Sequence, residues 1–286
     1  MDKTNRIGFG IATALACAAF NAHAGDRLLA TGGAQMIEGA AGSGLVPWAV
    51  IAGYGTNRQV GGSAFFTRAE TDDFELDTGG LAVGIFDRLE LSGSRQKFDA
   101  GSVIPGLELK MDTFGAKLKV YGDAVYDQDT PWPQIAIGAM YKKNKDMTVP
   151  SLVGAKKGKD TDFYVSATKV WLAGLAGFNT VGTLTVRGTR ANQFGLLGFG
   201  GDRKDGYSAQ PEVSFAVLLT DKLALGADYR GKPDNLSALE EDDASDVFLA
   251  WFPHRNLAVT GAYVRLGTIA GKDKQDGWYL SLQLTL

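Results

Sequence analysis

The chain has 286 residues, a formal net charge of −3, 45% hydrophobic residues, and 38 glycines against eight prolines. A slightly acidic balance with no Lys/Arg stripe among aromatics excludes a nucleic-acid surface, so no nucleic acid is expected as a partner. That much glycine argues against a helical protein, because glycine weakens helix interiors, and after Phe20 no apolar run approaches the length of a membrane-spanning helix.

Lys3 and Arg6 precede an apolar, Ala-rich run from Ile7 to Phe20, and Ala22-His23-Ala24 then fits the small-residue cleavage pattern. The segment predicts a cleaved signal peptide over 1–24 and a single β-barrel domain over 25–286. Cys17, the only cysteine, falls inside it, and Ala14-Leu15-Ala16-Cys17 only faintly resembles a lipoprotein box. With that segment removed, neither a disulfide nor a thiolate nucleophile is available.

From about Leu45 the chain breaks into short alternating blocks separated by turn signals. Strands are predicted near 46–56, 60–70, 74–86, 89–98, 107–121, 134–144, 162–171, 180–191, 207–219, 223–230, 245–253, 257–267 and 277–286. In each clear block one face is apolar, as in Phe114-Ala116-Leu118-Val120, and the other is polar, as in Thr113, Lys117 and Lys119. The last block is the clearest: Trp278, Leu280, Leu282, Leu284 and Leu286 alternate with Tyr279, Ser281, Gln283 and Thr285. Only 162–171 resists, because Lys169 shares the face of Phe163, Val165 and Trp171, which calls for a bulge or a snorkelling side chain.

Connections alternate between tight (Thr56-Asn57-Arg58, Asp87-Arg88, Thr220-Asp221-Lys222, Pro253-His254-Arg255-Asn256) and long (145–160, 192–206, 231–244, 267–276). That asymmetry belongs to transmembrane barrels, with short periplasmic turns and long outer loops. The expected fold is therefore all-β, an antiparallel transmembrane β-barrel. Thirteen blocks break the even strand count of such barrels. Arg27 to Glu38 supplies an upward strand before a descending 46–56, giving about 14 strands; the alternative is 12, with the Gly-rich start folded inside as a plug. The last strand must pair with the first, because lipid offers no partner for an open edge.

Candidate chemistry is sparse. Barrel enzymes of the outer membrane generally use histidine bases; here His23 lies in the signal segment and His254 in a tight turn, so no enzyme activity is expected. The run Glu240-Glu241-Asp242-Asp243, with Asp246 nearby, lacks the spaced oxygens of a calcium loop and reads as a solvated loop. Gly195-Leu196-Leu197-Gly198-Phe199-Gly200-Gly201 lacks the Lys-Ser/Thr ending of a phosphate loop. It reads first as a surface loop, and otherwise as an apolar loop that, with Phe194, dips into the lumen or meets lipid. No cofactor or metal is predicted. Trp48, Trp132, Trp171, Trp251 and Trp278 are assigned to interfacial girdles. The remaining candidates are the lumen-facing charges Glu90, Asp112, Lys117, Lys119, Arg187, Glu212, Asp228 and Arg230, which set selectivity in a wet pore or pair across a closed one.

Ala30-Thr31-Gly32-Gly33, Gly39 to Val46 and Pro47-Trp48-Ala49, with Gln134-Ile135-Ala136-Ile137-Gly138 and Tyr141-Lys142-Lys143-Asn144, carry a resemblance across nearly the whole chain. The sequence resembles an uncharacterised proteobacterial outer-membrane β-barrel family, a domain of unknown function. The resemblance implies an outer-membrane barrel of a Gram-negative bacterium and brings no assigned ligand or catalytic residue. Outer-membrane lipid, lipopolysaccharide and the barrel assembly machinery are the expected partners, together with a small solute. Leu286 departs from the aromatic residue that commonly ends such barrels. The functional expectation is a passive, porin-like channel for small solutes. The alternatives are a non-channel barrel that binds an apolar ligand or lipid and, more weakly, a soluble periplasmic all-β binding protein.

Overall fold

The computed structural model describes residues 27, 29 and 31–286; the expected signal segment, with Cys17, lies outside the described residues. Two short strands, β1 (Ala34–Gln35) and β2 (Ala41–Gly42), form a hairpin of their own. Twelve longer ones follow: β3 (Val60–Thr71), β4 (Glu75–Ile85), β5 (Leu89–Asp99), β6 (Glu108–Tyr121), β7 (Gln134–Asn144), β8 (Lys159–Leu175), β9 (Phe178–Thr189), β10 (Ser208–Thr220), β11 (Leu223–Arg230), β12 (Ala244–His254), β13 (Leu257–Arg265) and β14 (Asp276–Thr285). Each pairs antiparallel with its chain neighbours, and β14 closes on β3 from Gly277 opposite Thr71 to Thr285 opposite Ser63. The closed ladder leaves no strand edge in the barrel, as a membrane core demands.

Alternation decides which side chains meet lipid. Along β14, Trp278, Leu280, Leu282 and Leu284 are exposed while Tyr279, Ser281, Gln283 and Thr285 are buried. The same parity exposes Phe66, Leu91, Phe114, Ile137, Val165, Leu184, Phe215, Leu225 and Leu249 around the whole circumference. A soluble protein does not carry so large a continuous apolar belt, so the soluble periplasmic reading is withdrawn. Short turns (86–88, 176–177, 221–222, 255–256) gather at one rim and long loops (145–158, 190–207, 231–243, 266–275) at the other. The connections 122–133 and 72–74 are the exceptions to that sorting.

The strand count is twelve, not fourteen. The blocks 27–38 and 46–56 do not enter the wall. Pro47-Trp48-Ala49-Val50-Ile51-Ala52 lacks the two-faced alternation of a strand between lipid and lumen, and every residue from 35 to 55 is buried. These residues sit inside the barrel, so the twelve-stranded alternative with an N-terminal plug holds. Glycine permits the close fit. Gly53 has φ +84°, and a Cβ there would collide with the Gly61–Gly62 backbone at the start of β3. A Cβ on Gly84 of β4 would overlap the Ala52 carbonyl oxygen.

Lys169 needs no bulge. It stays in register opposite Gly182, and the connection 122–133 folds along that end of β8 to receive it. Its ammonium donates to the carbonyl oxygens of Asp127, Thr130 (3.0 Å) and Trp132 (3.4 Å). Of the five tryptophans, Trp132, Trp171, Trp251 and Trp278 are exposed near strand ends; Trp48 is buried in the lumen and leaves the girdle assignment.

Candidate functional site

The lumen is organised around Glu38, at the tip of the β1–β2 hairpin. Its buried carboxylate is ion-paired to Lys142 on β7, to Arg187 on β9 (3.4 Å) and to Arg230 on β11 (2.9 Å). Those cations are held in turn by wall acids: Lys142 by Asp162 (2.6 Å), Arg187 by Glu212 (2.5 Å) and Asp162 (3.5 Å), and Arg230 by Glu212 (3.3 Å). Arg187 offers Nε and a terminal nitrogen to the two Glu212 oxygens, the forked geometry that orients a guanidinium best. Three acids (Glu38, Asp162, Glu212) thus balance three bases (Lys142, Arg187, Arg230), all essentially without solvent contact. Burying ions is tolerable only with such complete pairing.

A second clamp grips the plug by its backbone. Lys117 on β6 and Glu90 on β5 pair at 3.1 Å. The Lys117 ammonium also donates to the carbonyls of Ala41 (2.9 Å) and Val50 (2.7 Å), and the Glu90 carboxylate accepts from the amides of Ala41 (3.1 Å) and Ala52 (2.9 Å). Neutral side chains take over around the wall. Ser166 and Thr185 donate to the Pro47 carbonyl (2.9 Å each), Gln134 donates to Ala49 (2.6 Å), and Thr78 and Gln96 donate to Ile37 (3.0 Å each). Thr168 and Asp228 accept from the amides of Ala49 (2.8 Å) and Leu45 (3.1 Å). The plug has little regular structure of its own, and buried backbone groups need partners. The polar inner face of the wall supplies them.

The candidate residues therefore divide. Glu90, Lys117, Arg187, Glu212, Asp228 and Arg230 lie in the lumen at or beside the plug. Asp112 lies toward the long-loop rim, bound by Arg95 (2.7 Å) and Lys145, and Lys119 lies at the short-turn rim against Asp87 and Asp123 (3.7 Å). Sequence reasoning missed Glu38, Lys142 and Asp162 as ions of the lumen. Lys142 and Asp162 sit on the inner parity of β7 and β8, which the alternation of Ile137-Tyr141 and Phe163-Val165 already marked. Glu38 carries no periodic signal.

The long-loop rim carries loops that fold inward over the lumen. The glycine-rich stretch 195–201 folds inward rather than lying on the surface, with Phe194, Leu196, Leu197 and Phe199 buried. Lys142 donates to the Phe194 carbonyl (3.0 Å), Asn144 to that of Leu196 (2.5 Å), and the Arg230 guanidinium lies 4.5 Å from the Phe194 ring centre. The acidic run serves as a tie. Glu241 accepts from the Gln193 amide (2.8 Å) and faces Lys232 at 3.8 Å, while Asp242 accepts from the Thr268 amide (2.9 Å) and hydroxyl (2.7 Å). Burial pushes the Glu241 carboxyl up to about 7 against the pull of Lys232, and burial likewise draws the Lys232 ammonium down. Among the described residues no group of three or more His, Cys, Asp or Glu is arranged to hold a metal ion. His254 accepts from the Asn256 amide (3.2 Å) within its turn.

Two apolar cavities remain, one at each end of the charged layer. The first, about 140 Å³, opens between the plug residues Trp48 and Val50 and the inner faces of β8 to β12 near the short-turn rim. The second, about 110 Å³, lies under the long loops between Phe74, Phe98, Leu107, Leu196 and Ile269.

A family model described as "Protein of unknown function (DUF3034)" matches residues 31–283, plug and barrel together. No curated protein matches the chain. Among solved structures the KdgM porin is similar at 8% identity with a TM-score of 0.50, covering 78% of this chain and 99% of that one. The KdgM porin in complex with disordered oligogalacturonate gives the same values. The Acinetobacter baumannii outer membrane protein Omp33 is 11% identical, with a TM-score of 0.47 and coverage of 81% and 100%. At such identities the likeness to KdgM extends to the fold alone.

Proposed function

We propose that this chain, which belongs to the family described as Protein of unknown function (DUF3034), is a porin-like outer-membrane channel for small solutes that its own segment 31–56 holds closed. The observation that carries the reading is the Glu38 clamp: three wall cations converge on one carboxylate from the plug. A fixed structural filler needs only apolar packing. A buried, balanced ion layer is specific for one position and costly to leave half-made. It therefore behaves as a latch with two arrangements. The outer membrane is supported by the lipid-facing belt, the closed barrel and the loop asymmetry, which puts the short turns in the periplasm.

The solute class is a further part of the proposal. One similar structure is a KdgM porin with oligogalacturonate, an acidic saccharide. Here three acids balance three bases in the clamp, so the clamp offers no excess positive charge to an anion, and small uncharged or apolar solutes fit it better.

Planar-bilayer recording of the purified full chain tests the reading. The wild type is expected to be silent apart from brief openings, and Glu38→Ala to open far more often at unchanged insertion. A wild type with steady conductance linear in salt overturns the closed state. A Glu38→Ala protein that inserts, keeps its folded gel mobility and stays silent overturns the latch.

A further inference from the structure

The outward face of the wall is not uniform around the long-loop rim. On most of it the strand cations meet acids. Arg68 on β3 is flanked by Glu70 (3.1 Å), Glu75 (2.5 Å) and Asp77 (3.6 Å), and Arg265 on β13 lies 3.9 Å from Asp276. Lys97 and Lys110 share Glu108 (2.7 and 3.0 Å), and Arg95 is held by Asp112 (2.7 Å). Lys143 on β7 and Lys159 on β8 break the pattern. They are register partners, both exposed, and neither has an ion pair among the described residues. Asp112, opposite Lys143 on its other side, is taken by Arg95 and Lys145. Asp160, beside Lys159 in the chain, is taken by Arg190 and the Tyr207 hydroxyl (2.7 Å). Side chains directly opposite on antiparallel strands stand about 5 Å apart, and like charges there repel.

The height of the pair on the wall says what it faces. One outward step toward mid-membrane, Phe114 and Tyr141 stand side by side, exposed on β6 and β7. Such rings mark the membrane–water interface, so the two ammoniums lie about 7 Å further out, at the level of lipid headgroups. On the other side of those rings the wall is recessed. Ala116 and Ala139 are register partners, and Gly188 follows in the same row beyond Phe163. With Leu118, Ile137 and Val186 of the next row they line a furrow of about 580 Å³ on the lipid side. A furrow among apolar side chains gains dispersion contacts when a hydrocarbon chain fills it. Lysines that only snorkel need neither a like-charged partner nor a recess beneath them.

We infer that Lys143 and Lys159 anchor a phosphate of an outer-leaflet glycolipid, the phosphorylated lipid part of lipopolysaccharide, with one of its acyl chains in the furrow below. A phosphate between the two ammoniums replaces their repulsion with charge-assisted hydrogen bonds. The furrow adds shape selection that a charged patch alone does not have. The inference rests on the orientation proposed above, with the long loops outside, and not on conduction. In that orientation glycerophospholipid lies at the short-turn side, away from the pair.

Native mass spectrometry of the full chain in detergent, titrated with purified diphosphoryl lipid A, tests the site. The comparison lipids are the same lipid A without its phosphates and phosphatidylglycerol. One lipid A is expected to be retained saturably per barrel, with each comparison lipid weaker by about tenfold, the order expected when charge-assisted hydrogen bonds are lost. Joint Lys143→Gln and Lys159→Gln should weaken diphosphoryl lipid A by about the same factor and leave the dephosphorylated lipid within about twofold. Ala139→Phe, which fills the furrow, should weaken both forms of lipid A. Arg265→Gln, across the barrel, should change neither. Heat-dependent gel mobility checks that each variant is folded, and Lys143→Gln alone replaces the double variant if that fails to assemble. Equal retention of phosphatidylglycerol, or retention that the lysine variants leave unchanged, overturns the anchor. An equal loss in Arg265→Gln overturns it too, because general surface charge then accounts for binding. Unchanged lipid A retention in Ala139→Phe overturns the furrow. Binding in detergent depends on neither orientation nor conduction, so a silent bilayer bears only on the channel reading and absent lipid retention only on this one.

Discussion

The barrel wall and the plug are built from one chain but held by different means. The wall closes through backbone ladders from β3 round to β14, in which main-chain N–H and C=O groups pair whatever the side chain. The plug has a two-residue hairpin, few ladder bonds, and depends on side chains projecting from β4 to β11. The difference separates robustness from control. Changes to single side chains are spread over a ladder that does not need them, whereas the plug is held by individual ionic and neutral side chains of the wall. Mutation is therefore expected to separate assembly of the wall from retention of the plug.

The largest effect is expected at Glu38. Removing one partner from a buried ion cluster costs about 3–5 kcal/mol, which is about a hundredfold or more in an equilibrium. Glu38→Ala leaves Lys142, Arg187 and Arg230 crowded without their shared acid. The plug should become sensitive to protease added at the short-turn side while the heat-dependent gel mobility of the barrel is unchanged. Loss of the barrel itself would show that plug and wall fold as one unit.

The converse change is Leu282→Arg. Leu282 faces lipid opposite Phe66 and is exposed on β14. A charge at the middle of the lipid face costs about 2–4 kcal/mol. Folding yield in vesicles should fall, and the protein that does insert should keep a protected plug. Equal protease sensitivity of the plug in this variant would erase the distinction between the two regions.

Glu90→Gln is expected to be milder. A glutamine retains an acceptor but loses the charge opposite Lys117, leaving that buried ammonium among neutral acceptors, the Ala41 and Val50 carbonyls included, without a counter-charge. A cost of about 1–3 kcal/mol follows from such a loss, read as faster plug proteolysis than wild type and slower than Glu38→Ala. Adding Lys117→Met to Glu90→Gln should recover part of it, because partners in one network are not additive.

The same contrast explains what could be read from the sequence. Wall strands carry a period-two signature, so the lipid belt, the last strand's descent onto the first and the inner placement of Lys117, Arg187 and Glu212 all follow from alternation. The plug has no period. Val46 to Ala52 reads like a strand because its residues are apolar, yet it lacks the two-faced alternation of a wall strand and is buried on every side. Glu38 had no signal for a related reason: its partners lie on β7, β9 and β11, far along the chain. The glycine-rich loop 195–201 follows its second reading, dipping inward, and local sequence could not choose it because Lys142, Asn144 and Arg230 hold it from across the mouth.

The smallest effect expected concerns the rim, where the loops borrow the plug's mode of attachment. Glu241 ties the 231–243 loop to the Gln193 amide and to Lys232, with Arg230 and Asp234 also acting on it. Burial pushes its carboxyl in the closed rim from the ordinary 4.5 up to about 7. An opened loop, with its carboxyl near 4.5, binds fewer protons than the closed loop between those two values. Closure is then strongest below about pH 4.5 and weakens as pH rises toward 7, with no further change from this group above that. Hydrogen exchange at the 231–243 amides, corrected for its intrinsic pH dependence, should show protection declining across that interval. Glu241→Gln, which cannot ionise, should hold protection flat. A decline of the same size in Glu241→Gln would move the titration to another group and leave the rim without this tie.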